Sequence, residues 1–225
     1  LAKAFIASAA GGSLRSRNSQ PYVNALVDIN IKVKSGDRLG ILGHNGSGKS
    51  TLLRLASNIY IPTSGEIYRG VKVHPMINKS FPTSPDLSGY DAAKGSYLLL
   101  HYSLDGFEDY IHDVITFSGI GDFIHLPVKT YSQGMSTRLL FAVLTACRHE
   151  CLALDEGLGA GDSSFFERAQ ERLHDFLSTT GTVFLASHSD ALLRRFCHRG
   201  LVFQEGRLVF DGALSEALSF YHQAS

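Results

Sequence analysis

The amino-acid sequence predicts an α/β fold: a mostly parallel sheet, an antiparallel β region near the N-terminus and an inserted α-helical subdomain. Three observations carry this. An apolar run at 38–42, a glycine-crowded turn at 43–48 and a helix start at Lys49 follow one another without a break. From Gly134 onward, short apolar runs alternate with helix-type segments, the pattern of parallel strands covered on both faces. Between these, residues 78–135 change character, with a Pro- and Ser-rich stretch followed by two amphipathic helical patterns.

Taken in order, residues 1–10 read as a short helix ended by Gly11-Gly12, and 15–20 as a polar loop. At 22–34, Val27, Ile29, Ile31 and Val33 alternate with other residues, which predicts a half-buried strand. Ser35-Gly36-Asp37 turns into a buried strand at 38–42, and a helix is predicted at 49–57. Residues 62–65 form a loop, and 66–73 a strand with a turn near Gly70. The insert carries helices at 89–101 and 107–117. The remaining pattern predicts a helix at 135–149, a strand at 151–155, a helix at 163–178, a strand at 182–186 and a helix at 190–197. A hairpin around Glu205-Gly206 and a last helix at 214–221 complete the chain. The expected organisation is a single domain over 1–225, with 1–77 and 136–225 as core and 78–135 as helical subdomain. The sequence opens on Leu1 rather than Met, and a preceding N-terminal piece is expected.

Lys+Arg and Asp+Glu balance at 21 each, so the chain lacks the general positive field that nucleic acid requires, and no nucleic-acid partner is expected. Cys147, Cys151 and Cys197 form no CxxC pair and have no standard zinc spacing. They read as small buried hydrophobes of a reducing compartment. No apolar run approaches the roughly 18 residues of a membrane-spanning helix.

The chemistry is carried by four stretches. Gly43-His44-Asn45-Gly46-Ser47-Gly48-Lys49-Ser50-Thr51 matches the P-loop pattern in full, between a strand and a helix, which points to a nucleoside triphosphate, and the core is expected to be of the P-loop NTPase (RecA-like) type. Its glycines let backbone N–H groups approach phosphate, Lys49 reaches the outer phosphates and Ser50 can ligate Mg2+. Leu152-Ala153-Leu154-Asp155-Glu156 is an apolar strand ending in two carboxylates: Asp155 is placed for Mg2+, and Glu156 for polarising an attacking water. Tyr131-Ser132-Gln133-Gly134-Met135 precedes a helix, with Ser132 as its cap. Ala186-Ser187-His188 ends a further buried strand.

In this order, the four stretches resemble the ATP-binding subunits of ABC transporters over about residues 22–212. GHNGSGKST is similar to the Walker A loop, YSQGM to the ABC signature, LALDE to Walker B, GAGD at 159–162 to the D-loop, and His188 to the switch histidine. YSxGM, GAGD and Ser187-His188-Ser189 resemble the branch that exports O-antigen, capsule and teichoic acid. The resemblance implies a head-to-tail homodimer that hydrolyses ATP at two composite sites. There Ser132 and Gly134 of one copy contact the γ-phosphate at Lys49 of the other, Glu156 is the general base, His188 orders the attacking water and Asp162 bridges the sites. Tyr22 stacks on adenine or packs in its strand. The family's junction Gln is missing, and Asn78 is the candidate for its metal contact; Gly157 replaces a common Pro, and Gln133 a common Gly. The implied partners are polytopic membrane permease subunits bound through the helical insert, and through them a lipid-linked glycan. The implied location is peripheral, on the cytoplasmic face of the bacterial inner membrane. Two alternatives stand beside this reading: a soluble ABC ATPase outside transport, and a nucleotide-binding module that has lost hydrolysis.

Overall fold

In a computed structural model of the chain, residues 13–17, 20–77, 83–155 and 163–223 are described. The contacts divide them between two compact units, one drawn from 1–77, 149–156 and 180–225, the other from 78–148 and 157–179.

In the first unit, β1 (Ser13–Arg17) and β2 (Gln20–Asn24) pair antiparallel as a small sheet of their own. The main sheet is built from β3 (Arg38–Leu42), β4 (Val73–Met76), β5 (Cys151–Leu154), β6 (Thr182–Ala186), β7 (Arg199–Gln204) and β8 (Arg207–Ala213). Its order is β4-β5-β6-β3-β7-β8, parallel throughout except for the final β7–β8 hairpin. Strands β5 and β6 are buried at every position, as parallel strands covered on both faces must be. Leu39, Ile41, Ala153, Phe184, Leu201 and Phe203 form the core together with Leu53 of helix α1 (Lys49–Ala56).

Two predicted strands are absent. Residues 25–37 form no strand, although Leu26, Ile29, Ile31 and Val33 do pack against the core cluster. The alternation is therefore a true burial signal, but Asp28 sits at φ 54, in the left-handed region, which breaks an extended run. Residues 66–72 likewise lie outside any strand, with Tyr68 88% exposed, and only Val73 joins β4. The polar stretch read as a loop at 15–20 contains most of β1 and the start of β2. The first ten residues, read as a helix, lie outside the described residues.

The second unit contains α2 (Gly89–His101), α3 (Phe107–Ser118), α4 (Gln133–Thr145) and α5 (Ser163–Thr179). Ser88 caps α2, its hydroxyl accepting from Asp91 N at 3.0 Å. Tyr97, Phe107, Tyr110, Ile111, Val114, Leu139 and Val143 fill the space between α2, α3 and α4. Arg172 of α5 ties three helices together. Its guanidinium engages both carboxylate oxygens of Asp113, donates to Thr145 Oγ1 at 2.8 Å and lies 4.2 Å over the Phe117 ring. The contacts group α4 and α5 with the helical unit, whereas the sequence pattern sets the boundary at 135. Helix α4 also ends at Thr145 rather than His149.

Burial pushes the Cys147 and Cys151 thiols up to about 11 and Cys197 up to about 12. In the unfolded chain these thiols begin to ionise above about 8.5, while in the folded chain they stay protonated. Their contribution to stability is therefore complete below that pH and is lost as pH rises toward the folded values. Urea midpoints measured between about pH 8 and pH 10.5 are expected to fall, and Cys197→Ala is expected to flatten that fall. An unchanged slope in the variant would remove the thiol as its cause.

Candidate functional site

The site begins where β3 ends. Gly43 to Gly48 form the turn, and α1 starts at Lys49. Gly43 has φ 145, and a Cβ there would fall 2.4 Å from the Phe203 carbonyl oxygen and 2.5 Å from Ser47 Oγ. Gly48 has φ 107, and a Cβ there would fall 2.6 Å from the Ala25 carbonyl oxygen. The turn is therefore clamped between the chain at Ala25–Leu26 and the end of β7. The hairpin tip adds a brace: Gly206 N donates to Ser47 O at 3.1 Å, and Val27 N donates to Gly206 O at 2.8 Å.

The electrostatics of the turn favour an anion. Gly48 is the N-cap of α1 with no side-chain cap, and the first turn of α1 holds no acidic residue. Its N-terminal N–H groups and the positive end of its dipole are left for a negatively charged group. Lys49 arches back over the turn, its ammonium donating to Gly43 O at 2.6 Å and to His44 O at 3.0 Å. His44, Asn45 and Gly46 form the exposed crest, Ser47 is buried, and Ser50 and Thr51 open the helix partly buried.

Two further predicted residues stand in the same row of strand ends. Asp155 comes directly after β5, half-buried, with its N–H donating to Met76 O of β4 at 3.2 Å. His188 lies just past β6 and is exposed, while the neighbouring Ser187 is buried and its Oγ accepts from Ser189 N at 3.1 Å. Because β3 pairs with β6 and β6 with β5, the phosphate-type turn, His188 and Asp155 leave the carboxyl ends of three adjacent parallel strands. Ligands of open α/β sheets sit at such ends.

In the helical unit, Ser132 caps α4, its hydroxyl accepting from Met135 N at 3.2 Å. A Cβ on Gly134 would meet nothing nearer than Ser132 Oγ at 3.9 Å, and the first turn of α4 has no acidic residue. Tyr22 falls in β2 opposite Arg15. Its side chain, like Asn78, Glu156 and Asp162, lies outside the described residues. Sequence reasoning missed Ala25–Leu26 and Glu205-Gly206 as walls of the turn; the only signal was a hairpin-type Glu-Gly pair.

The ABC transporter family model matches residues 26–159, a span running from the wall at Leu26 through the phosphate-type turn to Asp155 and beyond. The chain belongs to the ABC transporter family. The O-antigen export system ATP-binding protein RfbE of Yersinia enterocolitica is 40% identical over 84% of this chain and 82% of its own length. The capsule polysaccharide export ATP-binding protein CtrD of Neisseria meningitidis serogroup B is 31% identical over 93% of this chain and 95% of its own. Among solved structures, the dimeric post-hydrolysis ATP-binding cassette MJ0796, bound to ADP and Pi, matches with a TM-score of 0.69 at 21% identity. That match covers 89% of this chain and 95% of that one, a likeness of fold. The main sheet is thus the P-loop NTPase core of an ABC cassette, an ATPase architecture.

Because Gly48 combines a left-handed φ with a backbone oxygen at the Cβ position, Gly48→Ala is expected to cost about 1–3 kcal/mol of folding stability. It is also expected to weaken ATP binding about tenfold or more. Urea unfolding and equilibrium titration with ATP check both. Parent-like values in both measurements would show that the turn is not clamped at Ala25.

Proposed function

We propose that this chain is the ATP-hydrolysing motor subunit of an exporter of lipid-linked bacterial surface polysaccharide. The observation that carries the reading is the clamped 43–51 turn, with an uncapped helix start and Lys49 above it, in a chain related to O-antigen and capsule export ATP-binding proteins. The triphosphate of ATP lies along the N–H groups of the turn. Lys49 exchanges its contacts with Gly43 O and His44 O for the outer phosphates, a short swing between acceptors that leaves the ammonium paired throughout. Ser50 and Asp155, with Asn78, are the residues that would hold Mg2+. The donor set fits, since a hydroxyl and a carboxylate are hard oxygen ligands and Asp155 stands in the same row of strand ends. The ion supplies charge neutralisation at the transferring phosphoryl group.

Glu156 takes the proton of the attacking water, and His188, exposed at the end of β6, orders that water and the γ-phosphate. Ser132 and Gly134 of a second copy close the site: a helix start with a hydroxyl cap and no carboxylate in its first turn suits an anion. Asp162 bridges the two sites of the dimer, and Tyr22 stacks on adenine. The helical unit docks on a polytopic permease, where exposed Leu99, Tyr102 and Leu104 supply apolar contact. Among the described residues, no helix is long and apolar enough to cross a membrane. In this reading the chain works from the cytoplasmic face through that permease, as its relatives are ATP-binding subunits of export systems.

Turnover and mass in the presence of Mg-ATP test the reading. The parent is expected to hydrolyse ATP, and Lys49→Ala to lose about a hundredfold or more of that rate. Glu156→Gln is expected to stop hydrolysing and to accumulate as an ATP-dependent dimer by sedimentation. Parent-like turnover in Glu156→Gln would take the general-base role away from that residue. A parent chain that binds ATP without turnover would favour the non-hydrolysing module.

A further inference from the structure

The C-terminal helix α7 (Leu214–Gln223) lies on the main sheet through Leu214, Ala217 and Leu218, which are 5%, 0% and 0% exposed. Its last turn carries two neighbouring rings that reach different parts of the site. The Tyr221 ring lies 5.4 Å from the His44 ring, tilted by 46°. His222 Nε2 lies 2.9 Å from Asp190 Oδ2. Neither contact belongs to a motif, and neither end is trivial. His44 is the second residue of the phosphate turn, and its carbonyl holds the Lys49 ammonium at 3.0 Å. Asp190 opens α6 (Asp190–Phe196), just beyond His188, where Ser187 Oγ accepts from Ser189 N and Ser189 Oγ accepts from Leu192 N at 3.3 Å.

We propose that the last turn of α7 is a positioning clasp for ATP hydrolysis: Tyr221 steadies the crest of the phosphate turn through His44, and His222 steadies the His188 loop through Asp190. His44 and His188 are both exposed, so burial does not fix them. The base of α7 is fixed by its buried face, so a ring on its last turn transmits that rigidity to whatever it touches. The two contacts leave one turn of one helix, so the crest and the loop are held in register with each other. The His222–Asp190 pair has side-chain exposures of 55% and 38%, where solvent competes strongly for both groups. Its loss should scarcely alter global stability, which leaves local placement as its effect. Tyr221 and His222 touch no reacting group and are positioning residues. The kinetic consequences rest on the proposed ATP hydrolysis.

Four variants of the full chain separate the two arms: Tyr221→Ala, Tyr221→Phe, His222→Ala and His222→Gln. Tyr221→Ala is expected to raise KM for ATP about three- to tenfold with kcat held within about twofold, and Tyr221→Phe, which keeps the ring, to restore it. His222→Ala is expected to lower kcat by about the same factor with KM little changed. His222→Gln, which keeps a donor for Asp190, restores kcat. Hydrogen exchange gives a readout independent of turnover. The amides of 43–48 should exchange faster only in Tyr221→Ala, and those of 187–192 only in His222→Ala, with the rest of the sheet unchanged. Equal exchange in parent and variants at both segments overturns the clasp, as does a uniform loss of protection over the whole unit, which marks plain destabilisation. A parent chain without turnover would sink the hydrolysis reading alone, because the exchange pattern still decides the clasp.

Discussion

Parallel pairing of β3 with β6, and of β6 with β5, is the constraint on which the site depends. The register sets Ile41 beside Ala186 and Leu154 beside Leu185. Three strands therefore end nearly level, and each hands over to residues that carry chemistry: the phosphate-type turn after Leu42, Ser187-His188 after Ala186, and Asp155 after Leu154. A one-residue slip in either pairing would exchange the two buried faces, so the packing of Leu39, Ile41, Ala153 and Phe184 into one cluster goes with the same register that aligns the site. Core packing and site geometry are here one requirement.

On that frame, the turn is made receptive by what it lacks as much as by what it holds. An ordinary helix start would place Ser, Asp or Thr at the cap and a carboxylate in the first turn, which satisfies and neutralises the N–H groups. Helix α1 has Gly48 at that position and no acid behind it. The turn does not collapse onto itself, because Ala25, Leu26, Phe203 and the Gly206 hairpin tip wall it in. Lys49 takes the two loop carbonyls meanwhile, so its charge is never left without oxygen partners. In a turn held open in this way the backbone N–H groups are already in place for a phosphate and only the Lys49 side chain has to move, which is the source of electrostatic preorganisation. The same absence of acid recurs at α4, where Ser132 supplies a hydroxyl cap that is itself compatible with an anion.

How much of this is legible in the sequence depends on chain locality. The 43–51 turn, the strand ends at Asp155 and His188, and the cap at Ser132 are set by residues within a few positions of one another, and each lies where its neighbours indicate. Residues 25–37 show the limit of periodicity. Their apolar alternation reports which side chains are buried, but a strand also needs a hydrogen-bonded neighbour and an extended backbone, and Asp28 at φ 54 interrupts the latter. The grouping of α4 and α5 with the helical unit is equally hidden, because it depends on Arg172 meeting Asp113 and on Phe165 meeting Phe117 and Phe141. Sequence patterns carry no record of which distant helix an apolar face will choose. The contacts of Tyr221 and His222 belong to the same class, since they join residues far apart in the chain.

The central claim is that each ATP site is shared between two copies of the chain, with Lys49 from one and the Ser132–Gly134 helix start from the other. The most direct measurement mixes two inactive variants, Lys49→Ala and Gly134→Asp, and tracks ATP turnover as their ratio is varied. A mixed dimer contains one site in which both contributions are intact. The account predicts that each variant alone is inactive and that the mixture regains turnover, greatest near equal amounts. Equally inactive mixtures at every ratio, from variants that still bind one another, would contradict it.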